Sequence, residues 1–185
     1  TTADYSIAIG QSALGLGVLT GVDNIAIGST AGYDLTSGAY NVIMGLQAAY
    51  NATTADNTVA IGRAAIGSGV LTGDDNVAIG YLAGYDLTSG SSNFFGGLRA
   101  GQTVTTGADN VAIGAYSLGL GVLTGDYNVA LGYQAGYDLT SGTYNILQGY
   151  QAGYNATTAD NTVAIGKQAI GLGVLTGTDN IAIGQ

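Results

Sequence analysis

Words of the form (Asn/Thr/Ser)-(Val/Ile)-Ala-(Ile/Leu)-Gly recur along this chain, and their spacing constrains the fold more than any other feature. They end at Gly10, Gly28, Gly62, Gly80, Gly114, Gly132, Gly166 and Gly184, with degenerate copies at Gly45, Gly97 and Gly149. Successive glycines stand 18, 17 and 17 residues apart three times over, then 18 again, so the unit is a coil of 17 to 18 residues inside a three-coil super-repeat of 52. The A coils span 11–28, 63–80, 115–132 and 167–184, the B coils 29–45, 81–97 and 133–149, and the C coils 46–62, 98–114 and 150–166. Stacked helix pairs need about 33 residues or more per repeat. Glycine, at 33 of 185 residues, further disfavours helix. Short β-branched words between Gly, Thr, Asn and Asp turns fit an all-β parallel solenoid, a β-roll of ten coils forming one domain over 1–185. At about 4.8 Å per coil the rod is expected to be about 50 Å long. Each coil has room for two strands, the word itself and a second around the Ala three residues after each Gly.

Equivalent residues of successive coils stack, so each column must tolerate its own copies. Three residues before each Gly the column is apolar throughout (Ile7, Ile25, Val42, Val59, Val77, Phe94, Val111, Val129, Ile146, Val163 and Ile181), and it is expected to be the core. Two before the Gly stands Ala in the A and C coils but Ile43, Phe95 and Leu147 in the B coils. The next position inverts this, with Met44, Gly96 and Gln148 in place of Ile or Leu. Bulk thus changes face at every third coil. Strand alternation would put the Asn, Ala and Gly columns together on the opposite face, open to water or to another chain. Four before the Gly, Asn24, Asn41, Asn76, Asn93, Asn110, Asn128, Asn145 and Asn180 form a column whose amides can bond along the stack, a structural ladder.

Composition excludes much chemistry. The chain has no His, Cys, Pro, Trp or Glu, twelve Asp, and only Arg63, Arg99 and Lys167 as cations, for a net charge of −9. The usual general base, thiol nucleophile and soft metal ligands are absent, so neither an enzyme nor a cofactor is expected. Three cations cannot neutralise a run of phosphates, which argues against nucleic acid, and no apolar run approaches the ~18 residues of a membrane span. Without Cys there is no disulfide framework, and the compartment stays open. Thr1-Thr2-Ala3-Asp4-Tyr5 is neither an initiator Met nor a signal sequence, so a processed product or an excerpt is expected.

The words Asn76-Val77-Ala78-Ile79-Gly80-Tyr81-Leu82-Ala83, and Gly-Tyr-Gln-Ala-Gly-Tyr at Gly132 to Tyr137 and Gly149 to Tyr154, resemble the YadA-like head repeats of trimeric autotransporter adhesins and related repeats of phage and viral fibres. The resemblance covers essentially the whole chain, although the coil here is longer. It implies a left-handed β-roll, a homotrimer, an extracellular or virion-surface setting and no catalysis.

Candidate sites are few. Asp23, Asp74, Asp75, Asp109 and Asp179 lie in acidic turns, and stacked carboxylates can hold Ca²⁺. Turn chemistry is the preferred reading, because the Asp slips between two positions and Tyr40, Ser92 and Tyr144 replace it in B coils. Tyr33, Tyr50, Tyr85, Tyr137 and Tyr154 form a possible contact face for a glycan or a partner chain, against the simpler role of covering turns. A Thr/Ser column from Thr20 to Thr176 raises ice binding as a minor alternative. Asn51-Ala52-Thr53 and Asn155-Ala156-Thr157 match a glycosylation pattern that chance supplies readily here, and Gly15-Leu16-Gly17 lacks the helix a dinucleotide loop requires. Thr1 enters mid-coil and Gln185 follows a word directly, so uncapped ends and end-to-end stacking are expected. The resulting expectation is a non-catalytic fibre, filament or adhesin rod that self-associates as a homotrimer or filament. The alternative is a glycan- or Ca²⁺-dependent receptor-binding head of a bacterial adhesin or phage tail fibre, recognising a host-surface glycan or protein.

Overall fold

A computed structural model describes residues 5–15, 18–171 and 173–184. Thr1, Gln185 and two members of the first G-x-G string, Leu16 and Gly17, lie outside the described residues. Eleven three-residue strands, one per word, form a single sheet: β1 (Ile7–Ile9), β2 (Ile25–Ile27), β3 (Val42–Met44), β4 (Val59–Ile61), β5 (Val77–Ile79), β6 (Phe94–Gly96), β7 (Val111–Ile113), β8 (Val129–Leu131), β9 (Ile146–Gln148), β10 (Val163–Ile165) and β11 (Ile181–Ile183). All neighbours pair in parallel and in sequence order, with every word aligned on the next, as in Val77↔Phe94 and Ile79↔Gly96. The fold is a parallel β-solenoid of about ten turns.

The closing Gly of each word from Gly10 to Gly166 is required twice over. Gly80 has φ +141°, and a Cβ there would collide with the backbone carbonyl of the next coil's Gly97. Beyond it the expected second strand does not form. The residues two and four after the Gly sit in the left-handed region, as in Gln47 (φ 58°) and Ala49 (φ 45°), so the segment coils as turns instead of extending. These turns still bond coil to coil. Gln47 N–H donates to the Ser29 carbonyl at 3.0 Å and Gly32 N–H to the Ala48 carbonyl at 2.9 Å. The ladder therefore runs round the whole coil, which is what lets strands of three residues persist.

The Val/Ile column is not the core. In β2 to β10 the middle strand residue is buried, and its two neighbours point outward and are half-buried or exposed. The expectation had the alternation right and its direction wrong. Three walls fill the interior: the middle strand residues, the Ala column from Ala31 to Ala169, and leucines of the far side such as Leu35, Leu87 and Leu139. The small residues expected on an open face are thus packed inside the roll.

The same packing explains the three-coil period. In A coils the large core residue comes from the turn (Leu14, Ile66, Leu118, Ile170) and the strand supplies Ala. In B coils the strand supplies Ile43, Phe95 or Leu147 and the turn position becomes Gly32, Gly84 or Gly136. A Cβ on Gly136 would stand 2.8 Å from both Leu118 Cδ2 and Leu147 Cδ1, so this glycine lies between the bulk of two successive coils. Large residues enter alternately from opposite walls, and each faces a gap that fits it.

Candidate functional site

The Asn column lies inside the roll at the turn before each strand. From Asn24 to Asn145 its members are buried. Asn41 donates from Nδ2 to Asn24 Oδ1 (3.0 Å) and to the Ala55 carbonyl (2.8 Å), while its backbone N–H also donates to Asn24 Oδ1 (3.1 Å). Asn93 on Asn76, Asn128 on Asn110 and Asn145 on Asn128 repeat the side-chain link. Asn110 joins through its backbone N–H to Asn93 Oδ1, and Asn180 reaches Thr162 Oγ1 at 3.3 Å. The buried amides from Asn24 to Asn145 are thus committed to the fold and closed off from a ligand.

The acidic turns are local too. Asp23, Asp74, Asp75, Asp109 and Asp179 are all exposed. Asp23, Asp75, Asp109 and Asp179 adopt φ between 56° and 60°, a conformation Asp tolerates better than most residues. Asp74 Oδ1 accepts the Asp56 N–H at 2.9 Å, and Asp56, Asp126 and Asp160 each accept the N–H of the preceding coil in the same column. Among the described residues no group of three or more Asp side chains converges as a metal site would require.

Tyrosines stack along the rod. Tyr33 and Tyr50 lie 5.0 Å apart at 10°, Tyr137 and Tyr154 5.0 Å apart at 20°, and Tyr127 and Tyr144 4.9 Å apart at 8°. Tyr85 lacks such a partner because Gln102 occupies the next coil. Rings stacked this way spend their faces on one another and present edges and hydroxyls outward, a poor platform for a sugar ring. In the third super-repeat Tyr116 packs edge-on against both Tyr133 and Tyr137, which makes one cluster with Tyr150 and Tyr154. Arg99 lies over Tyr116 and Arg63 over Tyr81, so two of the three cations rest on aromatic rings. Burial raises the Asp138 carboxyl above its usual range, and burial with the Asp138 charge beside it raises Tyr154. The Thr/Ser column is exposed from Thr20 to Thr176, but the hydroxyls beside it in B and C coils, such as Thr36 and Thr53, give way in the A coils to buried Leu19, Leu71 and Leu123, so the second rank is broken at every third coil.

The feature that reading by columns misplaced is the outward strip of the sheet. It carries two side chains per strand, and these are apolar except at Gly96 and Gln148. Ile79, Ile113 and Ile146 are each more than two-fifths exposed. No charge interrupts it. Where β6 loses its outer Ile to Gly96, the Phe94 ring folds across the gap: a Cβ on Gly96 would stand 3.3 Å from Phe94 Cε1. The strip thus keeps its level through the strand with the most divergent residues.

The chain matches no protein-family model, no curated protein and no solved structure. Among the described residues no helix is long and apolar enough to cross a membrane.

Proposed function

We propose that this chain is a non-catalytic segment of an extracellular or virion-surface fibre, and that copies of it associate side by side through the outward strip as a parallel homotrimer. The observation that carries this reading is the strip itself, about 50 Å long and 10 Å wide at ordinary strand spacings. Monomers rarely expose contiguous apolar patches beyond a few hundred Å². Burying the exposed part of each Ile or Val is worth up to roughly 1 kcal/mol. With about twenty such side chains, even partial coverage exceeds the roughly 4–15 kcal/mol cost of association.

The occupant is argued from spacing. A partner must present apolar contacts every 4.8 Å or so over ten coils, and a second copy of this strip does so at the same period. The resemblance to trimeric adhesin heads supports three copies. The stacked Tyr rings and the exposed hydroxyls then face outward, on the surface a receptor would meet.

Sedimentation equilibrium tests the reading. The wild-type chain is expected at three times its 18.3 kDa mass. Placing carboxylates in the strip with Ile79→Asp and Ile113→Asp is expected to give monomers with an unchanged circular dichroism spectrum. A wild-type chain that stays monomeric at high concentration overturns the proposal.

A further inference from the structure

A ladder that nearly repeats every coil has a difficulty in self-association: sliding one copy by a single coil loses only about a tenth of the contact and sets one mostly apolar row on another. Something must break that degeneracy if the assembly is to have one register. Gln148 is the only polar side chain of the strip, flanked in its own column by Leu131 and Ile165, its partners in β8 and β10. It is exposed, and among the described residues its side-chain amide makes no hydrogen bond, whereas Gln134, Gln151 and Gln168 bond to one another along the roll.

Resting on the side-by-side assembly proposed above, we infer that Gln148 is its register key. When copies align coil for coil, the Gln148 amides of all copies meet at one level and can donate to and accept from one another. A slip of one coil sets each amide against Leu131 or Ile165 of a neighbour, buried and unpaired, which is the disfavoured state for a polar group. A single polar residue in an apolar seam fixes register in coiled coils by the same physics, at a cost in stability. Met44 and Gly96, which occupy the equivalent position in the other two B coils, cannot act this way.

The absence of Cys makes the test direct. A spin label is attached at the exposed Thr106→Cys, away from the strip, and the distances between labels in the assembled protein are measured. With Gln148 present, one narrow distance is expected. In Gln148→Ile, which installs the residue of most other coils, the mass is expected to stay trimeric and the urea midpoint to rise, while the distances spread into components offset by multiples of the coil rise. Moving the key, with Met44→Gln and Gln148→Met together, is expected to restore the single distance. A trimeric Gln148→Ile variant that keeps the one narrow distance overturns the key and leaves the assembly standing. A monomeric wild-type chain overturns the assembly and the key with it.

Discussion

The first and second super-repeats solve one packing problem in two ways. In the first, strand β3 buries Ile43 and the turn of the following C coil carries Ala49. In the second, β6 buries the larger Phe95 and the equivalent turn carries Gly101, where a Cβ would stand 2.5 Å from Phe95 Cδ1. The third pairs Leu147 with Gly153, 2.7 Å by the same construction. The difference teaches that two residues six apart in sequence share one space in the core, the larger strand residue Phe95 going with the smaller turn residue Gly101.

The sharpest way to break the comparison is Phe95→Ala. This removes the largest buried side chain from a layer whose turn is already glycine, so nothing nearby can fill the space. Destabilisation of about 3–5 kcal/mol is expected from urea unfolding.

Converting the second super-repeat into the first is a gentler test. Gly101→Ala alone drives a methyl into the Phe95 ring and places a non-glycine residue at φ 59°, and a loss of roughly 1–3 kcal/mol is expected. Phe95→Ile in the same chain reproduces the Ile43–Ala49 arrangement. The double variant is expected to be more stable than Gly101→Ala by about 1 kcal/mol or more, a coupling typical of residues in contact. Simple additivity of the two losses would refute the shared-volume account.

These two residues also show where the sequence was legible and where it was not. Coil boundaries, the strand in each word and parallel order follow from the spacing of the Gly-terminated words, because a short apolar word repeated at a fixed interval can stack only on itself; the second strand expected around each Ala does not form, since left-handed residues coil that segment into turns. Which strand face points inward does not follow from apolarity. Val and Ile outside, and Ala inside, reverse the usual association because the roll is too thin to hold a large residue from every wall in every coil. A signal did exist: the Ala column varies to Ile43, Phe95 and Leu147 with glycine or alanine changing in step six residues later, as core positions do. The Val/Ile column varies without any such partner, as an outer surface does. Phe94 is its one compensated member, and the compensation there is with Gly96 on the same outer face. Gln148 was visible only as a break in a pattern, since its meaning depends on knowing that the column faces out.

The smallest expected effect extends the contrast to the turn corner. The second super-repeat sets Tyr85 beside Gln102, whereas the third stacks Tyr137 on Tyr154 with Asp138 close enough to raise the Tyr154 phenol. Burial also raises Asp86 and Asp138 themselves above the ordinary carboxylate value of 3.8. A carboxyl whose folded pKa is raised is better tolerated protonated. Its contribution to stability is therefore fully present below pH 3.8 and is lost as pH rises through the folded value. Asp138→Asn removes that loss. At neutral pH the variant is expected to gain stability over the parent, within about 0.5 kcal/mol because the side chain is half-buried and screened by water. The gain should vanish when both are unfolded below the carboxylate range. Removing the charge is also expected to lower the alkaline titration midpoint of Tyr154, read from phenolate absorbance, while Asp86→Asn leaves that midpoint where it was. Equal shifts from both variants would show that Tyr154 responds to the net charge of the rod and not to the carboxylate beside it.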